Sequence, residues 1–248
     1  MRFWLAALTL CFTLFAVAGE SGSASQQISP PSASHPALQP YHAVYTARYN
    51  RMPIEAHRHL RVDGKRLTLV TEARNLLGQI HEAEHFHIDS EGRLIPESYV
   101  YDRSILGSSR KETTSIDARS RVSVSHRKGE ETVLDFEPGQ LGPLSYQLAM
   151  AIDLGTHDQA EDVDQLSYTV IHRGRLKDYA YRIVEQDVNL DTPLGNLNTL
   201  KVERVRDDDD RRTVLWLAPD LNYLPVRLVQ AEDGETYEMN IKSFTLEP

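Results

Sequence analysis

The 248-residue chain has 36 acidic and 27 basic residues, a formal net charge of −9 and a single cysteine. Acidity of this order excludes nucleic acid, or an anionic membrane surface, as a partner held by bulk charge. From Ala43 onward the chain is long enough for one sizeable domain, which buries roughly 70% of its unfolded surface.

The chain opens with Arg2, an apolar run from Phe3 to Phe15 and the small triplet Ala16-Val17-Ala18. This is the layout of a secretory signal peptide, residues 1–18, cut after Ala18. The run is shorter than the roughly 20 apolar residues that span a bilayer, so it reads as a cleaved signal rather than an anchor. Cys11 follows Thr9 and Leu10 instead of small residues, so no lipidation is expected. The expected product is periplasmic, with no integral membrane segment. Without Cys11 it has no disulfide, no thiolate nucleophile and no cysteine metal ligand. Residues 19–40, GESGSASQQISPPSASHPALQP, hold too few apolar side chains to fold and are expected to be a disordered tether.

Residues 41–248 read as a single antiparallel β domain. HLRVDGKRLTLV turns at Asp63-Gly64, HFHIDSEGRLIPESYVY at Asp89 to Gly92, SVSHRKGEETVLDF at Lys128-Gly129, and LVQAEDGETYEMNI at Asp233-Gly234. Each pairs alternating apolar residues with a turn signal, the mark of a hairpin.

Between the first two hairpins lies HEAEH, residues 81–85, a match to the His-Glu-x-x-His signature of zinc peptidases. That signature requires a helix, on which His81 and His85 share a face. Apolar spacing allows a helix over 71–87, but Gly78 and the two adjoining hairpins favour a strand over 79–89. On that strand Ile80, Phe86 and Ile88 face one way, and His81, His85 and His87 the other. The two histidines then stand about 13 Å apart and share no metal. His57/His59 and His85/His87 form two His-x-His pairs on strands about 9.6 Å apart. They are expected to face solvent, and no metal or cofactor is assigned.

GPLSYQLAMAIDL carries Pro143 at a first-turn position and Leu144, Leu148, Ala151 and Ile152 at helical spacing, which predicts a helix near 143–153. The acidic run in RDDDDRR, residues 206–212, lacks the spaced ligands and glycine of a calcium loop and is expected to be a solvated hairpin tip. No phosphate loop, dinucleotide fingerprint or Gly-x-Ser-x-Gly occurs, and no catalytic residues are assigned. The expected fold is mainly β (α+β): a curved antiparallel sheet or open β-barrel with one covering helix inserted midway.

DTPLGNLNTLKVERVR and TVLWLAPDLNYLPVRLVQAEDGETYEMNI resemble the bacterial envelope family known as domain of unknown function 3108. The resemblance rests on the turn from Thr192 to Gly195, Trp216, and Leu224 to Val226, and runs over about 41–247. Leu144 and Ser145 resemble the family's Leu-Ser helix, but Gly142 stands where an acidic residue is expected. The family is similar in architecture to periplasmic lipoprotein carriers, whose open barrels receive acyl chains. That implies a non-enzymatic binding module for a hydrophobic or lipid-like ligand, with Leu144, Leu148, Ile152 and Trp216 as ligand-binding candidates. The alternative is a structural or interaction protein with a filled core and an envelope partner. The zinc peptidase is a distant third. Cavity volume separates the first two, since a ligand pocket measures some 300 Å³ or more.

Overall fold

The computed structural model describes residues 35–49, 52–156, 165–206, 211–232 and 234–247. The expected signal peptide, the expected tether up to residue 34 and residues 207–210 of the acidic run lie outside the described residues.

The elements in chain order are β1 (Tyr41–Tyr49), β2 (Met52–Asp63), β3 (Arg66–Asn75), β4 (Gly78–Ile88), β5 (Leu94–Ile105), β6 (Ser108–Asp117), β7 (Val122–Arg127) and β8 (Glu130–Asp135). The helix α1 (Ser145–Thr156) follows, then β9 (Gln165–Ile171), β10 (Leu176–Thr192), β11 (Gly195–Val205), β12 (Arg211–Ala218), β13 (Leu224–Glu232) and β14 (Glu235–Leu246). The fourteen strands form one curved antiparallel sheet in the order β8-β7-β6-β5-β4-β3-β2-β1-β14-β13-β12-β11-β10-β9. It is two meanders joined where the first strand pairs with the last, Tyr41 opposite Leu246.

The tight turns follow from local chemistry. Lys128 and Gly129 both take positive φ, 54° and 81°, the backbone a two-residue loop needs to match the strand twist. Asn75 caps the β3–β4 turn by accepting from Leu77 N and Gly78 N at 2.8 and 3.2 Å. Gly78 is required for space: an added Cβ would meet the Ser104 carbonyl oxygen at 2.0 Å. Asp89 accepts from Glu91 N and Arg93 N, both at 2.9 Å, and closes the β4–β5 loop.

The edge strands β8 and β9 are not paired with each other, so the sheet is unclosed. The connection between them carries α1 and touches both edges. Leu141 N donates to Thr169 O at 2.9 Å, and Ile171 N donates to Leu141 O at 2.8 Å, a parallel bridge onto β9. Ile95, Phe136 and Ile171 form a small separate core at this seam. Glu112, buried on β6, gathers Arg110, Arg127 at 2.8 Å and Arg173 of the β9–β10 turn at 3.2 Å. An ion cluster and apolar contacts thus do there what ladder hydrogen bonds do elsewhere.

The helix lies on the concave side, with Tyr146, Leu148, Met150, Ala151, Ile152 and Leu154 buried. It runs two residues later than the spacing predicts at its start and three at its end. A further departure concerns the tether. Pro36–Leu38 form a 3₁₀ turn whose Ala37 and Leu38 are buried in the main core, so the packed domain begins before Tyr41.

Candidate functional site

HEAEH lies on β4, between β3 and β5 in the sheet. Alternation along Gly78–Ile88 sends Ile80, Glu82, Glu84, Phe86 and Ile88 inward and His81, His85 and His87 outward. The outward histidines each meet one neighbour. His81 Nδ1 is 2.9 Å from Glu72 Oε1, His85 Nδ1 is 2.9 Å from Thr68 Oγ1, and His87 Nδ1 is 2.8 Å from Glu97 Oε1. The glutamates are therefore the structurally committed letters of the motif.

Glu84 is fully buried and caps the helix. Its Oε2 accepts from Leu144 N at 2.6 Å and Ser145 N at 3.0 Å, and its Oε1 accepts from Ser145 Oγ at 2.6 Å. Helix N-termini expose unpaired N–H groups and partial positive charge, so a carboxyl there fills both needs. Ser145 Oγ also accepts from Gly142 N at 2.8 Å. A Cβ on Gly142 would lie 2.1 Å from Glu84 Oε1, so residue 142 must be glycine while the carboxyl comes from β4. Burial pushes Glu84 up to about 7, against the downward pull of its three donors.

Glu82, one inward step away, accepts from Tyr99 Oη at 2.6 Å. Burial raises it to about 7 as well, opposed by the Tyr99 hydrogen bond and the Arg58 charge. Arg58, buried on β2, donates from Nε to Tyr41 Oη at 3.0 Å. On the far side of the helix Tyr146 packs edge-on against Tyr179 at 5.2 Å, and its hydroxyl is 3.2 Å from that of Tyr181. Asp153 near the helix end accepts from Tyr168 Oη at 2.7 Å. The helix is thus pegged at both ends by polar contacts and packed between them.

Among the described residues, small cavities touch α1. One, of about 20 Å³, lies among Tyr41, Arg58, Leu148, Tyr223 and Phe244; another, of about 10 Å³, lies among Tyr146, Met150, Leu215 and Leu217. Each holds a single water at most.

The outer face of β1 and β2 carries a second grouping. His42 pairs in register with His59, and His57 stands two residues along on the same face. His42 Nε2 is 3.2 Å from His57 Nδ1, and the His42 and His59 rings stack at 4.1 Å. Burial and the neighbouring His42 and Arg61 hold His59 below its ordinary value.

A family model matches residues 44–242. The chain belongs to DUF3108, described as a protein of unknown function. No curated protein matches the chain. Among solved structures, a β-barrel-like protein of domain of unknown function DUF1849 from Brucella abortus is similar at 10% identity and TM-score 0.53. That alignment covers 85% of this chain and 99% of the other. A protein from Parabacteroides distasonis described as a "putative lipoprotein" aligns at 13% identity over 85% of this chain and 97% of its own, with TM-score 0.31. The first likeness shows a β-barrel-like fold, in agreement with the unclosed curved sheet.

In this DUF3108 chain the motif residues serve the fold. Thr192 Oγ1 accepts from Leu194 N at 3.1 Å and donates to Gly195 O at 2.8 Å, building the β10–β11 turn. Val226 is fully buried, and Leu224 nearly so. Of the four ligand-binding candidates, Leu144, Leu148 and Ile152 lie together in the core around α1, and Leu148 lines the larger cavity. Trp216 is only partly buried and packs against the margin of the same core. Its cross-strand neighbours are Lys201 and Arg227, which sit over its ring at 5.6 and 4.8 Å, and it lines neither of these cavities. Sequence reasoning missed Glu84, Glu82 and Arg58 because charged residues on a strand ordinarily mark the solvent face. Their signal is alternation, Glu82 and Glu84 with Ile80 and Phe86 on β4, and Arg58 with Ala56 and Leu60 on β2.

Proposed function

We propose that this DUF3108 chain is an exported, non-catalytic envelope protein that works as a filled scaffold and binds its partner on the outside of the barrel. One observation carries this: among the described residues the cavities that touch α1 measure about 20 and 10 Å³, against the 300 Å³ or more of an ordinary ligand pocket. Seating an acyl chain would require expelling the helix. That would strip Glu84 of three donors and expose Leu144, Leu148 and Ile152 together. Export is supported by the signal-like layout of Arg2 to Ala18. The two inward glutamates of β4 are engaged by Tyr99, Leu144 and Ser145, which supports a non-catalytic role for them.

The test is native mass spectrometry of protein taken from the periplasm, with organic extraction and a fluorescent apolar probe. The scaffold reading expects the bare polypeptide mass, no stoichiometric extractable lipid and no saturable probe binding. One lipid per chain, or saturable uptake of the probe, would restore the carrier reading and remove this one.

A further inference from the structure

We propose that His42, His57 and His59 form a binding site for one divalent transition-metal ion of the zinc(II) and copper(II) class on the outer face of β1 and β2. The inference does not rest on the scaffold reading. It goes beyond the expectation that His57 and His59 face solvent, and it gives HEAEH no metal role.

The backbone sets up the site. His57 and His59 are two residues apart on one strand and so share a face. The register of the β1–β2 pair sets His42 directly opposite His59. Three imidazoles are thereby held on two hydrogen-bonded strands, with candidate ligand nitrogens all within 4.8 Å of one another. Two nitrogens bound to one tetrahedral zinc at about 2.0–2.1 Å stand about 3.3 Å apart. His42 Nε2 and His57 Nδ1 are 3.2 Å apart. Their spacing is already that of a shared ion, and a rotation of the His59 ring from its stacked position on His42 supplies the third nitrogen.

The surroundings match what imidazole ligands need. A metal-bound histidine ordinarily donates its other N–H to a carboxylate, which sets the tautomer and aims the free lone pair. His57 Nε2 lies 3.1 Å from Glu55 Oε1, which leaves Nδ1 as the ligand atom, and Nδ1 is the atom facing His42. Glu55 is itself held by Lys242 of β14. Three neutral nitrogens with no thiolate favour zinc(II) or copper(II) over the hard cations magnesium and calcium. With three protein ligands a fourth position stays open to solvent or to a partner's side chain. By contrast His81, His85 and His87 lie singly beside one neighbour each, and none belongs to the grouping.

The experiment is calorimetric titration of the full chain, free of any histidine tag, with zinc(II) and separately with copper(II). Visible spectra of the cobalt(II)-loaded protein report the geometry. The expected result is saturation at one ion per chain, no competition from excess magnesium or calcium, and at least a tenfold loss of affinity in His42→Ala and in His57→Ala. Glu55→Gln keeps all three ligands and is expected to weaken binding about tenfold, which a folding defect would not reproduce. His81→Ala and His85→Ala should titrate like the parent. Absence of saturable uptake, binding that survives His42→Ala, or binding lost in His85→Ala would each overturn the site.

Discussion

Replacing Gly142 with alanine tests the joint on which the interior depends. The added methyl would lie 2.1, 2.4 and 2.6 Å from Glu84 Oε1, Cδ and Oε2, so the carboxyl has to leave. Three buried donors, Leu144 N, Ser145 N and Ser145 Oγ, then lose their acceptor. A buried donor left unpaired costs about 1–3 kcal/mol, so partial relaxation still leaves a loss of roughly 3–5 kcal/mol for Gly142→Ala. Glu84→Ala removes the same acceptor and should cost about as much. In the Glu84→Ala background the three atoms nearest the methyl are gone. Gly142 does not take a positive φ, so alanine there should be neutral or gain up to about 1 kcal/mol from a stiffer unfolded chain. The double-mutant cycle by urea denaturation should therefore show a coupling of about 3 kcal/mol or more. Costs that add to within about 0.5 kcal/mol, as for independent sites, would refute the reasoning.

Glu82 and Glu84 sit at about 7 in the folded protein against an ordinary 4.5, so the native state binds more protons than the unfolded one. Their contribution to stability is full below pH 4.5 and is lost as pH rises through 7; denaturation across that window should flatten in Glu82→Gln and Glu84→Gln. Leu148→Ala enlarges a cavity of only about 20 Å³ and should cost 2–5 kcal/mol, about the full core penalty. A loss under about 1 kcal/mol would mean the helix is loosely held. A chain beginning at His35 should melt like the full mature protein, whereas one beginning at Tyr41 loses buried Ala37 and Leu38 and about 2–3 kcal/mol. Equal melting temperatures would show that the 3₁₀ turn is not docked in solution.

What is local in this protein can be read from its residues. Gly64 and Lys128-Gly129 specify their turns because only certain residues tolerate the required φ, and the hairpin register follows from the turn. The same locality rejects the zinc reading of HEAEH, since a segment between two hairpins is drawn into the sheet. It also marks α1, whose leucines recur at helical spacing. Contacts across the sheet are another matter. No local signal pairs β1 with β14, because sequence separation leaves that partner undefined until the meanders fold. His42 joins His57 and His59 only through the antiparallel pairing of β1 with β2, which no Gly-containing turn signal announces. Trp216 looks like a core residue by its chemistry, and the pairing of β12 with β11 and β13 leaves it partly buried at the core's margin, between Lys201 and Arg227. Glu84 shows the division most plainly. Alternation alone points it inward beside Phe86. Only the tertiary structure brings a helix N-terminus from some sixty residues away to meet it, and that meeting makes a buried carboxyl tolerable and a glycine at 142 obligatory.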